Sequence, residues 1–353
     1  MIIALVYLFF TMSLYAMESD SGSLSALQYA SLYAITKRQF SSIQADTHVS
    51  LLPSSNEFLY CPEDNGNLIA YDTYELQGKS AICTWFTKKE NIKCRAGACD
   101  QDTLYLAQSY FFNNKKPYIQ IIKLIYQGSV QSRGGIKKAH EKNINDLALL
   151  SPTNLASISR DKTVKIWDLT TKTSLHTFPL QEEGTRIIAM SPHTWIALEQ
   201  KNSYLSGENE NITLWDNRQT TYARHFRLPY SSYTHTMQKG SDDGAFYIGG
   251  QGYLLSYDIS NNSSTCSYKE KDSMDIINIK SYQEYCIGLD SCSKIVIWNN
   301  STPTAPIQTI ELPRATEKKH YEALALANDG TLFASGNDYI TKLGLVSRTE
   351  QNV

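Results

Sequence analysis

The sequence predicts an all-β fold assembled from a repeated unit of about 45 residues. Charged residues make up only 19% of the 353 positions, whereas tyrosine occurs 23 times. This composition suits pleated, half-buried strands better than helices. A second observation is a strand-like segment that ends on an aromatic residue followed by Asp or Asn. It occurs as NLIAYD (67–72), TVKIWD (163–168), NITLWD (211–216), YLLSYD (253–258) and KIVIWN (294–299).

The spacing of these segments sets the number of units. The last four end 48, 42 and 41 residues apart, whereas the first two end 96 residues apart, which leaves room for one more unit. PYIQIIKL (117–124) fills that place, and DYITKLGLV (338–346) supplies a unit after the fifth segment. Seven units of this length match four-stranded propeller blades. We therefore expect a seven-bladed β-propeller with four antiparallel strands in each blade.

The third unit displays its four strands most clearly. INDLALL (144–150) is expected as the innermost strand, NLASIS (154–159) as the second, TVKIWD as the third and TSLHTF (173–178) as the outer one. No segment after the seventh unit supplies a fourth strand, but SLYAITKRQF (31–40) is strand-like and precedes the first unit. We expect this N-terminal strand to complete the last blade, which would close the ring and remove exposed sheet edges.

Residues 137–178 resemble a WD40 repeat. They carry Ala-His at 139–140, the pattern LASxSxD at 155–161 and Trp-Asp at 167–168. The spacing of the units extends the resemblance over roughly residues 29–346, although the other units match the motif less well. The resemblance implies a rigid propeller that binds a protein partner and needs no cofactor.

The resemblance also implies a structural role for four residues of the third unit. His140, Ser157, Asp161 and Trp167 would form a hydrogen-bonded chain from loop to strand. A Ser/His/Asp set invites a catalytic interpretation, but a hydrolase needs an exposed nucleophile beside an oxyanion pocket. Here Trp167 would engage the Ser157 hydroxyl inside a blade. We therefore expect a structural tetrad and no catalytic residue.

The other units lack this set of residues. At the position of Asp161, three later units carry Asn209, Gln251 and Cys292. We expect those blades to be held mainly by packing of their anchor aromatics, which are Trp215, Tyr257 and Trp298.

A candidate binding face is formed by the loops between second and third strands and between blades. One of these loops is the long insertion SYFFNNKKP (109–117). Rigid aromatic rings with a few charges dominate interface energy. The alternative is that the phenylalanines cover the blade edge and the lysines only solvate the loop. The candidate partner-binding residues are Phe111, Phe112, Lys115, Lys116, Arg160 and Lys162.

Other classes of function have less support. The sequence contains no GxSxG or HExxH motif and no Cys/His pattern with zinc-ligand spacing, so we expect no enzyme and no metal. A formal net charge of -2 gives no general attraction to nucleic acid. The alternative is a ligand-binding or enzymatic propeller that uses its central channel, for which His48, Asp146 and His235 are the available polar residues. We expect a monomer.

The N-terminal segment predicts export. The apolar run from Ile2 to Ala16 is shorter than the roughly 20 residues that span a bilayer, and it suits a signal peptide cleaved after Ala16. We expect a secreted or periplasmic protein without stable membrane insertion. An uncleaved anchor or a cytoplasmic scaffold is the alternative. The expected organisation is a signal peptide at 1–16, a linker at 17–28, the propeller at 29–346 and a tail at 347–353.

The seven cysteines leave two interpretations open. Cys94 and Cys99 flank a short Arg-Ala-Gly-Ala stretch, so a disulfide that closes a hairpin is one of them. Buried free thiols within strands are the other.

Overall fold

The structure of the chain is a computed structural model, and all its described elements are β-strands. This confirms the predicted all-β fold. The described residues are 32–34, 52–53, 58–62, 67–72, 83–84, 92–100, 103–110, 117–125, 129–200, 210–219, 221–227, 234–241, 244–261, 263–269, 275–300, 306–312, 321–326, 330–336 and 339–343.

The described strands form seven four-stranded antiparallel sheets. Sheet 1 contains β2 (Leu52–Pro53), β3 (Phe58–Pro62), β4 (Asn67–Asp72) and β5 (Cys83–Thr84). Sheet 2 contains β6 (Ile92–Asp100), β7 (Thr103–Tyr110), β8 (Tyr118–Ile125) and β9 (Ser129–Ile136). Sheet 3 contains β10 (Ile144–Ser151), β11 (Asn154–Ser159), β12 (Thr163–Asp168) and β13 (Thr173–Pro179).

The remaining four sheets repeat this pattern. Sheet 4 contains β14 (Glu183–Ala189), β15 (Thr194–Gln200), β16 (Asn211–Asp216) and β17 (Tyr222–Arg227). Sheet 5 contains β18 (Thr234–Lys239), β19 (Ala245–Gly250), β20 (Tyr253–Asp258) and β21 (Ser263–Lys269). Sheet 6 contains β22 (Ile276–Tyr282), β23 (Tyr285–Asp290), β24 (Lys294–Asn299) and β25 (Gln308–Glu311). Sheet 7 contains β26 (Tyr321–Leu326), β27 (Leu332–Gly336), β28 (Tyr339–Leu343) and β1 (Leu32–Ala34).

The sheets are arranged around a central axis. The first strands β2, β6, β10, β14, β18, β22 and β26 contact one another in this order, and β26 contacts β2. We call these seven the inner strands. In sheet 7 the outer strand comes from the N-terminal region, because β1 pairs with β28 in the register Leu32 to Leu343. A strand taken from the other end of the chain covers an edge that would otherwise be open.

The core lies between neighbouring sheets. Sheets 3 and 4 pack through a cluster that includes Ile158, Phe178 and Trp195. Trp195 stacks on Trp215 with ring centroids 5.2 Å apart, and Phe178 meets both indoles edge-on at 5.5 Å. Such close aromatic packing adds to the free energy gained by burying the rings. This packing therefore holds the outer strand of sheet 3 against the second and third strands of sheet 4.

Of the two interpretations of the cysteines, the one in which a disulfide between Cys94 and Cys99 closes a hairpin is wrong. Both residues lie within the single strand β6, in which Cys94 pairs with Gln108 and Cys99 pairs with Leu104 of β7. Five residues of extended strand span about 16 Å, whereas disulfide-linked Cα atoms lie within about 7 Å of each other. Among the described residues, Cys286 and Cys292 are free thiols, and Cys286 is buried.

The part of the chain that the structure describes contains no helix with the length and hydropathy needed to cross a membrane. The predicted signal peptide, linker and tail lie outside the described residues.

Candidate binding face and central channel

The structure describes some of the predicted site residues. Arg160 and Lys162 lie in the exposed loop that joins β11 to β12. The insertion residues Phe111, Phe112, Lys115 and Lys116 and the channel candidate His48 lie outside the described residues.

The four predicted tetrad residues are brought together in sheet 3. The Trp167 Nε1–H donates to Ser157 Oγ over 2.8 Å, and Ser157 Oγ lies 2.7 Å from His140 Nε2. His140 Nδ1 lies 2.9 Å from Asp161 Oδ2. Because the ionised Asp161 carboxylate can only accept, Nδ1 carries the imidazole proton, and Nε2 of the neutral ring then accepts from the Ser157 hydroxyl. All polar side-chain atoms of the tetrad therefore have partners.

The charges of the tetrad fit this proton arrangement. Burial lowers the pKa of His140 despite the neighbouring carboxylate, so the imidazole is neutral near pH 7. Burial alone would raise the pKa of Asp161, but the hydrogen bonds from His140, Thr163 and the Glu141 backbone lower it well below its usual range. A neutral imidazole thus donates to an ionised carboxylate.

Asp161 also ties two surface loops to the sheet. Its Oδ2 accepts from the Glu141 backbone N–H at 2.9 Å, and its Oδ1 accepts from the Thr163 backbone N–H at 3.1 Å. Ser159 Oγ accepts from the Asp161 N–H and donates to the Lys142 carbonyl, both at 3.1 Å. The loops 137–143 and 160–162 are therefore fixed to each other and to β12.

These loops, together with 180–182, form what we call the loop face. The exposed charged residues of its first two loops are Lys137, Lys138, Glu141, Lys142, Arg160 and Lys162. Lys162 Nζ lies 3.0 Å from Glu182 Oε2, and Arg160 Nε lies 4.0 Å from Glu183 Oε2. Exposed ion pairs of this kind contribute only about 0–1 kcal/mol, so a partner's carboxylates can replace them at little cost.

Sheet 4 has a polar network of its own. The Trp215 Nε1–H donates to Thr213 Oγ1 at 2.8 Å, and Thr213 Oγ1 donates to the buried Glu199 Oε1 at 3.1 Å. Glu199 Oε2 accepts the backbone N–H groups of Gln181 and Glu182 at 2.8 and 3.0 Å. Sheet 4 therefore combines the expected packing of Trp215 with a hydrogen-bond network, in which Glu199 at the end of β15 ties down the loop face.

Sheet 5 also uses buried hydrogen bonds. The Glu210 carboxylate accepts the Thr234 backbone N–H at 2.9 and 3.0 Å, and Thr234 Oγ1 lies 2.7 Å from the Tyr253 hydroxyl. The sequence signal for such networks is a Thr or Tyr near the aromatic anchor together with a Glu at a strand end. Comparing only the residues at the position equivalent to Asp161 overlooks this signal.

The inner strands carry a second group of polar residues. Asp146 on β10 and His235 on β18, both predicted as channel candidates, belong to this group. Arg186 on β14 and Lys280 on β22 also belong to it, although the sequence did not single them out. Arg186 Nε donates to the His235 carbonyl at 3.2 Å, and His235 Nε2 lies 3.5 Å from Asp275 Oδ2. Within the described ranges, no group of three His, Cys, Asp or Glu residues is arranged to hold a metal ion.

Comparison with known proteins agrees with this architecture. A crystal structure of the WD40 β-propeller domain of Doa1 superimposes with a TM-score of 0.65 at 13% sequence identity, over 91% of this chain and 97% of that one. The similarity shows a β-propeller fold. No family model and no curated protein sequence matches the chain.

Proposed function

We propose that the protein is a non-catalytic platform that binds another protein through the loop face. The observation that carries the proposal is the double anchoring of that face. The Asp161 carboxylate of sheet 3 accepts hydrogen bonds from the backbone N–H groups of Glu141 and Thr163. The Glu199 carboxylate of sheet 4 accepts them from Gln181 and Glu182. Loops that are fixed before binding lose little conformational entropy when a partner docks.

The proposal assigns no catalytic role to the Ser/His/Asp set. The Ser157 side chain is fully buried, and its oxygen is engaged by both Trp167 and His140. A nucleophile in that position would have to give up both contacts and leave the sheet before it reached a substrate.

The chemistry of the loop face favours a partner with an acidic segment. Its exposed cations include Lys137, Lys138 and Lys142, while Glu182 and Glu183 already lie beside Lys162 and Arg160. An acidic segment would gain charge-assisted hydrogen bonds and would associate faster at low ionic strength. We include Phe111 and Phe112 as the apolar part of the same interface.

Affinity capture from an extract of the source organism, with variants compared side by side, tests this proposal. We expect the Lys142→Glu, Arg160→Glu double variant to retain the partner at least about tenfold less well than the unmodified chain. The matched control is Lys172→Glu, because Lys172 is an exposed lysine in the loop between β12 and β13, at the opposite end of the sheet. Equal retention by the double variant and by the control would contradict the proposal.

The aromatic part of the interface has its own test. The Phe111→Ala, Phe112→Ala variant should lose the partner while its melting temperature stays within about 2 °C of the unmodified protein, because surface truncations cost little stability. A large fall in melting temperature would instead place the two rings in the core.

A further inference from the structure

His235 is the bulged residue of the inner strand β18. Its two neighbours in the strand pair with Gly250 and Gly249 of β19, whereas His235 itself has no partner in the ladder. A β-bulge re-aims the side chain of the extra residue. The imidazole of His235 consequently reaches the neighbouring sheet 6, where its Nε2 lies 3.5 Å from Oδ2 of Asp275, the residue that precedes β22.

The backbone around His235 is held in place by other contacts. The preceding residue, Thr234, donates its N–H to both oxygens of the Glu210 carboxylate at 2.9 and 3.0 Å, and its hydroxyl lies 2.7 Å from the Tyr253 hydroxyl. The His235 carbonyl accepts from Arg186 Nε of sheet 4 at 3.2 Å. Because the backbone is fixed, rotation of the His235 side chain is the motion that changes its distance to sheet 6.

Asp275 joins loops of sheets 5 and 6. Its N–H donates to Ser291 Oγ at 3.2 Å, and its carbonyl accepts from the Ser291 N–H at 2.8 Å. It also forms an isolated antiparallel bridge with Gln251. Ser291 lies in the loop between β23 and β24, and Gln251 lies in the loop between β19 and β20, so both are on the same side of the ring as the loop face. A change in the position of Asp275 therefore reaches loops of both sheets.

The charges around His235 make its contact with Asp275 depend on pH. Burial lowers the pKa of His235 below its ordinary value of 6.5, the Asp275 carboxylate raises it, and the Arg186 guanidinium lowers it. The ring is thus neutral near pH 7 and takes up a proton in mildly acidic solution. Asp275 attracts the protonated ring and Arg186 repels it, whereas the nearby Glu210 carboxylate is bound to the Thr234 backbone.

The present separation leaves room for the pair to close. Charge-assisted N–H···O bonds are about 2.7–2.9 Å long, whereas His235 Nε2 and Asp275 Oδ2 are 3.5 Å apart. The two side chains keep 36% and 31% of their surface exposed, so each can move without displacing the core. We propose that His235 and Asp275 form a pH-sensitive clasp between sheets 5 and 6, which closes when the imidazole binds a proton and then fixes the loops that carry Gln251 and Ser291. This clasp goes beyond protein binding at the loop face and is tested on the chain without a partner, so either proposal can fail alone.

The proton affects the clasp and the whole fold in opposite directions. Because the folded-state pKa of His235 lies below 6.5, the unfolded chain binds this proton more readily, and the stability present above the unfolded pKa is lost as the pH falls through the folded one. Within the folded state, however, the Asp275 carboxylate attracts only the protonated ring. The same proton therefore favours the closed clasp over the open one.

Hydrogen exchange of the Ser291 amide, followed by NMR and corrected for the intrinsic rate at each pH, tests the clasp. In the unmodified protein we expect the protection factor to rise by about twofold to fivefold between about pH 7.5 and about pH 5.5, the range that partly exposed ion pairs reach. His235→Gln and Asp275→Asn should each remove the rise. The matched control is His193→Gln, which should keep it, because His193 is exposed in the loop between β14 and β15 on the opposite side of the ring. Constant or falling protection in the unmodified protein, or a rise that persists in His235→Gln, would overturn the proposal.

Titration of the His235 imidazole by NMR gives a second readout, with the His235→Gln spectrum identifying the resonance. Because Asp275 raises the pKa of His235, we expect a lower pKa in Asp275→Asn than in the unmodified protein. The rise in protection at Ser291 should have the same midpoint as the titration of the unmodified ring. An equal pKa in the two proteins would refute the assignment.

Discussion

Replacing Ser157 with alanine tests the energetic role of the buried tetrad. The substitution removes one oxygen and leaves two buried groups without their present partner, the Trp167 indole N–H and the Nε2 of His140. A buried polar group that loses its partner costs about 1–3 kcal/mol. Allowing for some relaxation, we expect Ser157→Ala to lower the free energy of unfolding by about 2 to 4 kcal/mol. That is a large fraction of the stability of a typical domain.

Urea unfolding followed by circular dichroism measures this loss by linear extrapolation. The matched control is Ser174→Ala, because Ser174 is exposed on β13 and its loss should change stability by no more than about 0.5 kcal/mol. In a Trp167→Phe background only His140 remains to lose a partner, so the cost of Ser157→Ala should fall by about 1–2 kcal/mol. A loss as small as that of the control, or strict additivity in the cycle, would refute the reasoning.

Three further predictions concern protonation, thiol reactivity and export. Because the folded-state pKa of Asp161 is lowered, its ionised form stabilises the fold above the ordinary Asp pKa of about 3.9, and this contribution is lost as the pH falls below it. The stability difference between the protein and Asp161→Asn should therefore shrink between pH 5 and about pH 3 in urea titrations, and a constant difference would contradict the pKa shift. Burial raises the pKa of the Cys286 thiol, so it should react with a disulfide reagent at pH 8 only when the protein unfolds; fast reaction in the native state would place it at the surface. Residues 1–20 fused to a reporter should direct its export, and retention of the reporter in the cytoplasm would leave the cytoplasmic scaffold as the better interpretation.

The strand pattern was predictable because the third strand of five of the seven units ends on an aromatic residue followed by Asp or Asn. The bounds of β12, β16, β20 and β24 are those of the segments that end on an aromatic residue and Asp or Asn. Most of their buried positions are apolar, with Thr213 and Asp216 of β16 as buried polar exceptions, so local sequence and global fold largely agree. The tetrad residues could also be predicted from local sequence, since one unit holds all four.

The errors arose where tertiary context overrides local sequence. The Arg-Ala-Gly-Ala stretch between Cys94 and Cys99 resembles a turn, but β6 continues through it to Asp100 and contains a bulge next to Cys94. A glycine inside a strand often marks such a bulge rather than a turn. The Glu199 network was missed because the acceptor comes from β15, not from the loop that supplies Asp161.

The channel residues were the least predictable part of the site. Asp146 and Lys280 are more than 130 positions apart, and nothing in their local sequences relates them. Their strands are related only because the inner strands form a ring. Propeller closure therefore creates a chemical environment that no single repeat contains.

Lysine footprinting of the captured complex tests the central claim, binding at the loop face, most directly. Acetylation rates of the free chain and of the complex would be compared at Lys142 and Lys162 on the loop face and at Lys172 at the opposite end of sheet 3. The account predicts that the partner protects Lys142 and Lys162 and leaves Lys172 reactive. Protection of Lys172 with undiminished reactivity at the other two lysines would contradict it.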